Sequence, residues 1–331
     1  NAAGTLISEA ARGEGGILTN ALGERFMQRY DPERMELSTR DRVALAAYTE
    51  IKEGRGTEKG GVWLDVSHLP RETIMSRLPR VYQTMLELQM LDITKEPIEI
   101  APTAHYSMGG VWVRPDDHGT DVEGLYAIGE ASSGLHGANR LGGNSLIELL
   151  VFGRIVGQAA IAHSAGLDAQ RRSSAAVAEA RAEVDSLLAA EGPENVRALQ
   201  RAIRNTMTEH AGVVRDEAGL RAGLAELDAI EARIADVGIH PDIAGFQDLA
   251  HAFDLKSSAL AARATMEAAL ERRETRGAHN RSDYPELDPQ LQVNLVWSPS
   301  TGVVREEIPP VPDEIAALME RELSLAGKLL E

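Results

Sequence analysis

The sequence predicts an α/β first part followed by a helical domain, and three observations support this division. Residues 124–129 form a short apolar run typical of a central strand, and a glycine-rich loop separates it from the apolar stretch that begins near Asn144. Residues 166–275 are rich in Ala, Leu, Glu and Arg and repeat their apolar positions with a 3.6-residue period. Six prolines between residues 285 and 312 interrupt regular structure towards the end of the chain.

The α/β part divides into two segments. Residues 1–102 mix short strand-like and helical stretches, including a predicted strand at Gly61–Val66, and indicate a small α+β module. Residues 103–165 contain the apolar strand, the glycine-rich loop and a helix, for which Asn144 or Ser145 can serve as the N-cap. A strand, a glycine loop and a helix in this order are typical of a ligand-binding site.

The second part of the chain is predicted to be a helical domain with an irregular tail. Residues 166–281 form a helical bundle, and residues 282–331 form a C-terminal segment with one strand at Leu291–Trp297. The helical period is clearest in one group of apolar side chains that share a helix face: Leu220, Leu224, Leu227 and Ile230.

Composition limits the function classes that fit this chain. The 331 residues include 34 basic and 51 acidic side chains, a formal net charge of -17, which argues against nucleic-acid binding. An anionic substrate would need a locally basic pocket, so clustered Arg and His side chains should mark the site. The absence of cysteine excludes disulfides, a thiolate nucleophile and an iron–sulfur cluster held by this chain's own thiolates.

Other kinds of site find little support. The nine histidines show no metal-ligand spacing on a helix, and no G-x-S-x-G motif presents a nucleophilic serine. The longest apolar run, 146–161, is interrupted by Glu148, Gly153, Arg154 and Gln158, so we predict a buried helix rather than a membrane span. The chain begins at Asn1 without the features of a secretory signal, and this start is what a truncation would produce.

The segment His136–Leu146 combines a histidine, an arginine and three glycines immediately before a helix. Glycines let the backbone approach a ligand closely, the helix N-terminus offers unpaired N–H groups, and Arg140 can bind a carboxylate with two hydrogen bonds. These features predict a site for an anionic or electron-rich ligand. The alternative is a tight strand-to-helix turn in which Arg140 is merely solvated.

This segment, with Glu148 and Val151–Arg154 beyond it, resembles the signature of the flavoprotein subunits of succinate dehydrogenase and fumarate reductase. The resemblance spans nearly the whole chain. It implies a partial FAD-binding Rossmann-like domain with an α+β capping domain, residues 1–102 being the capping domain and its junction and 103–165 the returning part of the FAD domain. Five further motifs carry it: Thr5–Gly16 with Gly23–Met27, Ser38–Asp41, Glu53–Gly56, Pro102–Gly110 and Glu274–His279.

The resemblance implies a dicarboxylate site with proton transfer. By position, Arg140 and His105 bind the substrate carboxylates together with the hydroxyl of Ser8, and Arg40 transfers a proton at one substrate carbon. Glu9 and Arg12 are the implied relay, which an arginine needs because its guanidinium pKa lies above about 12. Without the motifs, His105 would be an ordinary loop histidine and Glu9, Arg12 and Arg40 would form surface ion pairs.

For the FAD cofactor, the resemblance implies Glu130 near the ribityl group and backbone N–H groups of Ser145 and Leu146 at the isoalloxazine ring. Glu130 could equally cap the loop that follows it. No G-x-G-x-x-G motif follows a strand, so we expect the segment that binds the FAD pyrophosphate to lie outside this sequence. Two departures are Ser8, where the family usually has Thr, and a loop from Glu130 to Arg140 that is one residue shorter than in many relatives.

The resulting hypothesis is the flavoprotein subunit of succinate dehydrogenase, which would interconvert succinate and fumarate and pass electrons to an iron–sulfur subunit. Membrane anchor subunits and a quinone would be indirect partners, and the flavoprotein would lie on the cytoplasmic face of a bacterial inner membrane. Fumarate reductase working in the opposite direction and L-aspartate oxidase are alternatives. A non-catalytic assembly fragment is an alternative from another class.

Overall fold

The computed structural model describes residue 7 and residues 9–168, 173–240 and 246–318. Its contacts divide the chain into two compact units. Unit 1 contains residues 1–162 and the short segment 277–280, and unit 2 contains residues 163–276 and 281–331. The four-segment division made from the sequence stays a prediction.

Unit 1 is built on a three-stranded antiparallel sheet with helices around it. The strands follow the order β1-β2-β3, and Leu18 of β1 and Ile98 of β3 both pair with Leu64 of β2. The strand predicted at Gly61–Val66 is confirmed as β2. The elements of this unit are α1 (Ala10–Gly13), β1 (Ile17–Thr19), α2 (Met27–Tyr30), α3 (Arg40–Glu50), β2 (Val62–Asp65), α4 (Arg71–Arg77), α5 (Pro79–Gln89), β3 (Ile98–Ile100) and most of α6 (Asn144–Ala165).

The core of unit 1 lies where α3 and the sheet bury their apolar side chains. In β2 the burial alternates, with Val62 and Leu64 buried and Trp63 and Asp65 partly exposed, as a strand with one covered face requires. In α3 the buried positions Val43, Ala47 and Glu50 follow the spacing of one helix face. Arg40 precedes Val43 by three residues, so it continues this face at the exposed end of the helix.

The strand predicted at Gly124–Gly129 is wrong for the part of the chain that the structure describes. Tyr126 makes one isolated bridge with Gly119, and no ladder forms along the segment. Ile128 is extended, but a strand also needs neighbouring strands on which to pair its backbone groups. The described residues supply only single bridges here, so an extended segment replaces the expected sheet strand.

Helix α6 begins at Asn144, one of the two residues predicted as its N-cap, but it is not buried as predicted. Only Glu148 and Val156 are buried in it, whereas Leu146, Leu150 and Ile161 are exposed. Among the described residues, this helix alone is long and apolar enough to cross a membrane, with a mean hydropathy of 1.6. Core helices of soluble proteins meet the same criterion. Its burial was predicted from composition, but burial depends on which elements cover the helix.

Unit 2 confirms the predicted helical bundle, and Leu220, Leu227 and Ile230 lie in its core as their spacing predicts. The predicted strand near Leu291–Trp297 is observed, and it pairs with a second strand that the sequence did not reveal. The elements are α7 (Ser174–Leu188), β4 (Glu194–Asn195), α8 (Val196–His210), α9 (Glu217–Ile234), β5 (Val237–Gly238), α10 (Phe246–Glu271), β6 (Val293–Ser298) and β7 (Gly302–Glu307).

A buried polar cluster holds the end of α3 that is remote from Arg40. The carboxylate of Glu50 is fully buried and accepts two hydrogen bonds from Arg55, both at 2.7 Å. Asn20 and Tyr30 each donate another at 2.7 Å. These bonds, above all those from Arg55, lower the pKa of Glu50 from its ordinary 4.5 to about 2. The cluster therefore stabilises the ionised carboxylate and fixes α3 in the unit.

We expect this cluster to make stability depend on acid pH. Because the folded-state pKa of Glu50 lies below its unfolded value, the stabilisation is complete above about pH 4.5 and disappears as the pH falls towards 2. At neutral pH, Glu50→Gln should lower the free energy of unfolding by about 2–3 kcal/mol, measured by urea denaturation. The difference from wild type should shrink between pH 4.5 and pH 2.

Glu53→Gln is the matched control, because Glu53 pairs with the same Arg55 from a position that is 54% exposed. An exposed pair contributes about 0–1 kcal/mol, so this variant should stay close to wild type at every pH. Identical pH profiles for Glu50→Gln and wild type would contradict the prediction.

Candidate active site

Arg40 and Glu9 form an ion pair that remains open to solvent. Thr39 is extended and its carbonyl accepts the N–H of Val43, so α3 begins at Arg40. Nε of Arg40 donates to Oε2 of Glu9 at 2.5 Å. The two side chains are 58% and 50% exposed, so a ligand could reach both. The hydrogen bond from Arg40 is the main cause that lowers the pKa of Glu9, which favours its ionised form.

Arg12 stands behind this pair. Helix α1 begins directly after Glu9 and contains Arg12, which places the two residues within one helical turn. Nη1 of Arg12 donates to the carbonyl of Ser38 at 3.2 Å and also to that of Glu36. Burial lowers the pKa of Arg12, and its charge also interacts with those of Glu9 and Arg40. The three predicted relay residues therefore lie together, with Glu9 bound to Arg40 and Arg12 electrostatically coupled to both.

Arg140 lies against an aromatic ring. Its guanidinium carbon is 4.3 Å from the ring centroid of Tyr106, and Nη1 donates to the carbonyl of Leu141 at 3.2 Å. Its Nε is buried and has no hydrogen-bond partner among the residues that the structure describes. A buried N–H without a partner is uncommon and costly. The described residues therefore leave the hydrogen-bonding capacity of the Arg140 Nε–H unused.

The loop that carries Arg140 also approaches Arg40. A Cβ atom at Gly142 would lie 3.9 Å from Nη2 of Arg40, so the glycine permits ordinary contact between the loop and this side chain. Arg40 thus lies beside the loop that carries Arg140, although the two residues are distant in sequence. A locally basic site of this kind is what the sequence predicted for an acidic chain that binds an anion.

A cavity of about 210 Å³ joins three more of the predicted site residues, and it is lined by His105, Tyr106, Glu130, Ser145 and Leu149. Oε1 of Glu130 accepts the N–H of Ser107 at 2.9 Å, so Glu130 anchors the loop that presents His105. This bond is made to an earlier loop and not to the loop after Glu130, for which the sequence suggested a cap.

The two remaining predicted positions are Leu146 and Ser8. The N–H of Leu146 already donates to the carbonyl of Gly143 at 3.2 Å, so a cofactor would compete with this bond for it. Ser8 lies outside the residues that the structure describes. The individual roles assigned to the site residues stay predictions.

The sequence did not assign a role to a buried network next to Arg140. Oε2 of Glu148 binds Nε2 of His136 at 2.8 Å and accepts a hydrogen bond from the Tyr106 hydroxyl at 3.1 Å. The side chains of His136 and Glu148 are 8% and 2% exposed. The only signal in the sequence was that all three residues lie within the motifs. Burial and the bond to Glu148 raise the pKa of Tyr106, which keeps its hydroxyl protonated as a donor.

The segment 277–280 packs on the same loop. The N–H of Ala278 donates to the carbonyl of Ala138 at 2.9 Å. Gly277 has a φ of +58°, and a Cβ there would lie 2.4 Å from that carbonyl oxygen. Only glycine fits this contact without displacing the backbone. Residues 277–280 therefore support the loop that carries Arg140.

Comparison with known proteins places this chain in a family. Residues 1–146 match the model of an FAD binding domain, and residues 200–322 match that of the C-terminal region of fumarate reductase flavoproteins. The chain is 42% identical to one subunit of the fumarate reductase (CoM/CoB) of Methanothermobacter marburgensis, over 88% of this chain and 53% of that protein. It is 37% identical to the succinate dehydrogenase flavoprotein subunit of Rickettsia bellii, over 96% and 56%.

The fold agrees with the sequence comparison. The structure matches the FrdA chain of a variant E. coli quinol fumarate reductase with a TM-score of 0.83 and 33% identity, over 93% of this chain and 57% of that one. The chain belongs to the family of succinate dehydrogenase and fumarate reductase flavoprotein subunits. The family predicted from the motifs is thus confirmed. The chain spans about half the length of the curated relatives that it matches.

FAD is confirmed as the cofactor of this flavoprotein family by the match of residues 1–146. The residues around the cavity fit part of such a cofactor. Glu130 and Ser145 offer polar groups, and α6 begins at the cavity with the positive end of its dipole. That end suits the negative charge that reduction places on a flavin ring. Glu130, Ser145 and the first turn of α6 are therefore the residues of this chain suited to hold the flavin.

Proposed function

We propose that this chain carries the dicarboxylate site of a flavoprotein that interconverts succinate and fumarate. The observation that supports this most directly is the meeting of the Glu9–Arg40 pair with the Arg140 loop at Gly142. A four-carbon dicarboxylate needs donors at both ends and a proton-transfer group between them. Arg140 and His105 supply donors for the carboxylates, and Arg40 is the group for proton transfer.

The proton path follows from the contacts of Arg40. In fumarate reduction Arg40 donates a proton to one substrate carbon, and Glu9, hydrogen-bonded to Nε and ionised at rest, takes up a proton from Arg12 and passes it on to Arg40. Arg12 stabilises Glu9 and supplies the next step of the relay. FAD, when bound, supplies hydride transfer at the other substrate carbon. The reverse sequence serves succinate oxidation, because both directions use the same path.

The proposed partners follow from the chemistry of this chain and the names of its relatives. Electrons must leave the flavin, and a chain without cysteine lacks the thiolates that hold an iron–sulfur cluster. The partners that we propose therefore include an iron–sulfur subunit, with a membrane anchor and a quinone beyond it, as the match to a quinol fumarate reductase suggests. The proposed location is the cytoplasmic face of a bacterial inner membrane.

The test is substrate-dependent electron transfer by the FAD-loaded protein. Succinate should reduce an electron-accepting dye, and a reduced dye should drive fumarate reduction, whereas aspartate should not support dye reduction. Turnover with aspartate alone would instead identify an L-aspartate oxidase. Bound FAD without turnover of any of the three compounds would favour a non-catalytic assembly role.

Gly277→Ala should impair dicarboxylate binding, because Gly277 supports the loop that carries Arg140. An alanine at φ +58° costs about 1–2 kcal/mol, and its Cβ would collide with the Ala138 carbonyl and shift the Arg140 loop. We expect the dissociation constant of a dicarboxylate to rise about tenfold or more, measured by the change in flavin absorbance on titration with malonate.

Gly302→Ala is the matched control for this prediction. Gly302 has a φ of +65°, but a Cβ there would meet no atom within 4 Å. The Gly302→Ala variant should lose about as much stability as Gly277→Ala, but it should bind malonate like wild type. Equal malonate binding by Gly277→Ala and Gly302→Ala would contradict the supporting role of Gly277.

A further inference from the structure

We propose that Tyr106 is a positioning residue. It sets the affinity for dicarboxylates by holding the guanidinium of Arg140 over the face of the Tyr106 ring. This inference rests on the proposed function, because it assumes that Arg140 binds a substrate carboxylate. It assigns a role to Tyr106, which the sequence left without one, and it identifies Glu148 and His136 as the buried residues that hold Tyr106 in place.

Tyr106 contacts each of its three neighbours with a different part of its side chain. The ring face lies 4.3 Å from the guanidinium carbon of Arg140, and the hydroxyl donates to Glu148 at 3.1 Å. The edge of the ring also meets His136, with the ring centroids 5.5 Å apart at 76°. Tyr106 is thus fixed at its hydroxyl and its ring, and the remaining face is the support for Arg140.

A contact with an aromatic ring, unlike one with a carboxylate, leaves the donors of a guanidinium available. The ring attracts the positive charge of Arg140 but accepts none of the N–H hydrogen bonds that a carboxylate would accept. An ion pair with a carboxylate would use the same N–H groups that a substrate needs. The buried, unpartnered Nε of Arg140 agrees with this arrangement, since the structure leaves a donor of the fork unused among the described residues.

Glu148 could compete for Arg140, and the network prevents this competition. Its carboxylate is buried in the first turns of α6 and is engaged by both His136 and Tyr106. A buried carboxylate needs such partners, because an unpaired one would be strongly destabilising. His136, at 2.8 Å, is the closer of the two partners and keeps Glu148 engaged even without the Tyr106 hydroxyl, so the orientation of Arg140 depends on the ring of Tyr106.

The experiment compares Tyr106→Leu and Tyr106→Phe in the FAD-loaded protein. Malonate, a dicarboxylate that cannot form the substrate double bond, is titrated while flavin absorbance is recorded. Loss of the π face should raise the malonate dissociation constant of Tyr106→Leu about 3- to 30-fold. Tyr106→Phe keeps the face and should change it by less than about threefold. In turnover, KM for succinate should rise by the larger factor and kcat should change less.

Tyr82→Phe and Tyr82→Leu are the matched controls. The ring of Tyr82 also carries an arginine, with the guanidinium carbon of Arg71 at 5.6 Å, and lies on α5 outside the site residues. Both variants should bind malonate like wild type. FAD content, measured by absorbance after denaturation, separates a change at Arg140 from a loss of cofactor.

The outcomes separate this inference from the function on which it rests. Unchanged malonate binding in Tyr106→Leu at full FAD content would overturn the positioning role, and so would an equal loss in Tyr106→Phe and Tyr106→Leu. If Arg140→Ala also bound malonate normally, the proposed function itself would fail. If Tyr106→Leu does not fold, Tyr106→Met replaces it, since it is flexible and also lacks a π face.

Discussion

Arg40→Ala is expected to lower kcat for succinate oxidation by about two to four orders of magnitude, measured by dye reduction with the FAD-loaded protein. This range is the usual contribution of a positioned proton-transfer group. Arg40 begins α3, binds Glu9 at 2.5 Å and approaches the Arg140 loop, so its removal breaks the proposed relay at the atom nearest the substrate. Malonate binding should fall much less, because Arg140 and His105 remain.

Arg42→Ala is the control for this prediction. Arg42 is exposed, lies on the same helix two residues beyond Arg40, and also pairs with a carboxylate, that of Asp31 at 3.2 Å. Its loss should leave kcat within about twofold of wild type, because Arg42 is not among the residues proposed to contact the substrate or relay the proton. Equal activity of Arg40→Ala and wild type would remove Arg40 from the mechanism. A loss of malonate binding as large as the loss in kcat would make it a binding residue.

Arg281→Leu is expected to lower the free energy of unfolding of unit 2 by about 3–5 kcal/mol, measured by urea denaturation. The guanidinium of Arg281 is fully buried and makes two hydrogen bonds of 2.7 Å to Asp283. Its Nη1 donates to the carbonyl of Ala269 at 2.7 Å and, more weakly, to those of Leu270 and Arg272 at the end of α10. Leucine would leave these carbonyls and a carboxylate without their donor.

Arg305→Leu tests whether the burial of Arg281 is the cause of the large loss of stability expected for Arg281→Leu. Arg305 on β7 also binds a carboxylate, that of Glu271 at 2.6 Å, but its side chain is 55% exposed. This variant should change the free energy of unfolding by less than about 1 kcal/mol. Equal losses in the two variants would show that the carboxylate pair, and not the buried capping of α10, determines the effect.

The sequence motifs predicted some of the residues that the structure brings together at the site and assigned no role to others. The sequence predicted Arg40, Glu9 and Arg12 as a group, and the structure brings them together on α1 and at the start of α3. It also predicted the start of α6 beside the glycine loop. It assigned no role to Tyr106 or to the support that Gly277 gives to Ala138, because these contacts join residues that are far apart in the chain.

The sequence by itself determined the elements whose signal is local. A 3.6-residue apolar period identifies helices such as α9, since each helix buries the face that its own residues define. Glycines and an arginine before an apolar helix likewise predict an anion site from residues that are close together in the chain. The motifs also identified the family, because they hold side chains of defined chemistry at fixed spacing.

Only the tertiary structure decided which of these elements are covered and paired. Residues 124–129 have the composition of a central strand but form none in the described chain, and α6 has the composition of a buried helix but exposes most of its apolar side chains. Strand pairing and burial depend on neighbours elsewhere in the chain. The same reason explains why composition did not reveal the hairpin strand β7 or the Glu50 cluster, which join residues through packing and not through spacing.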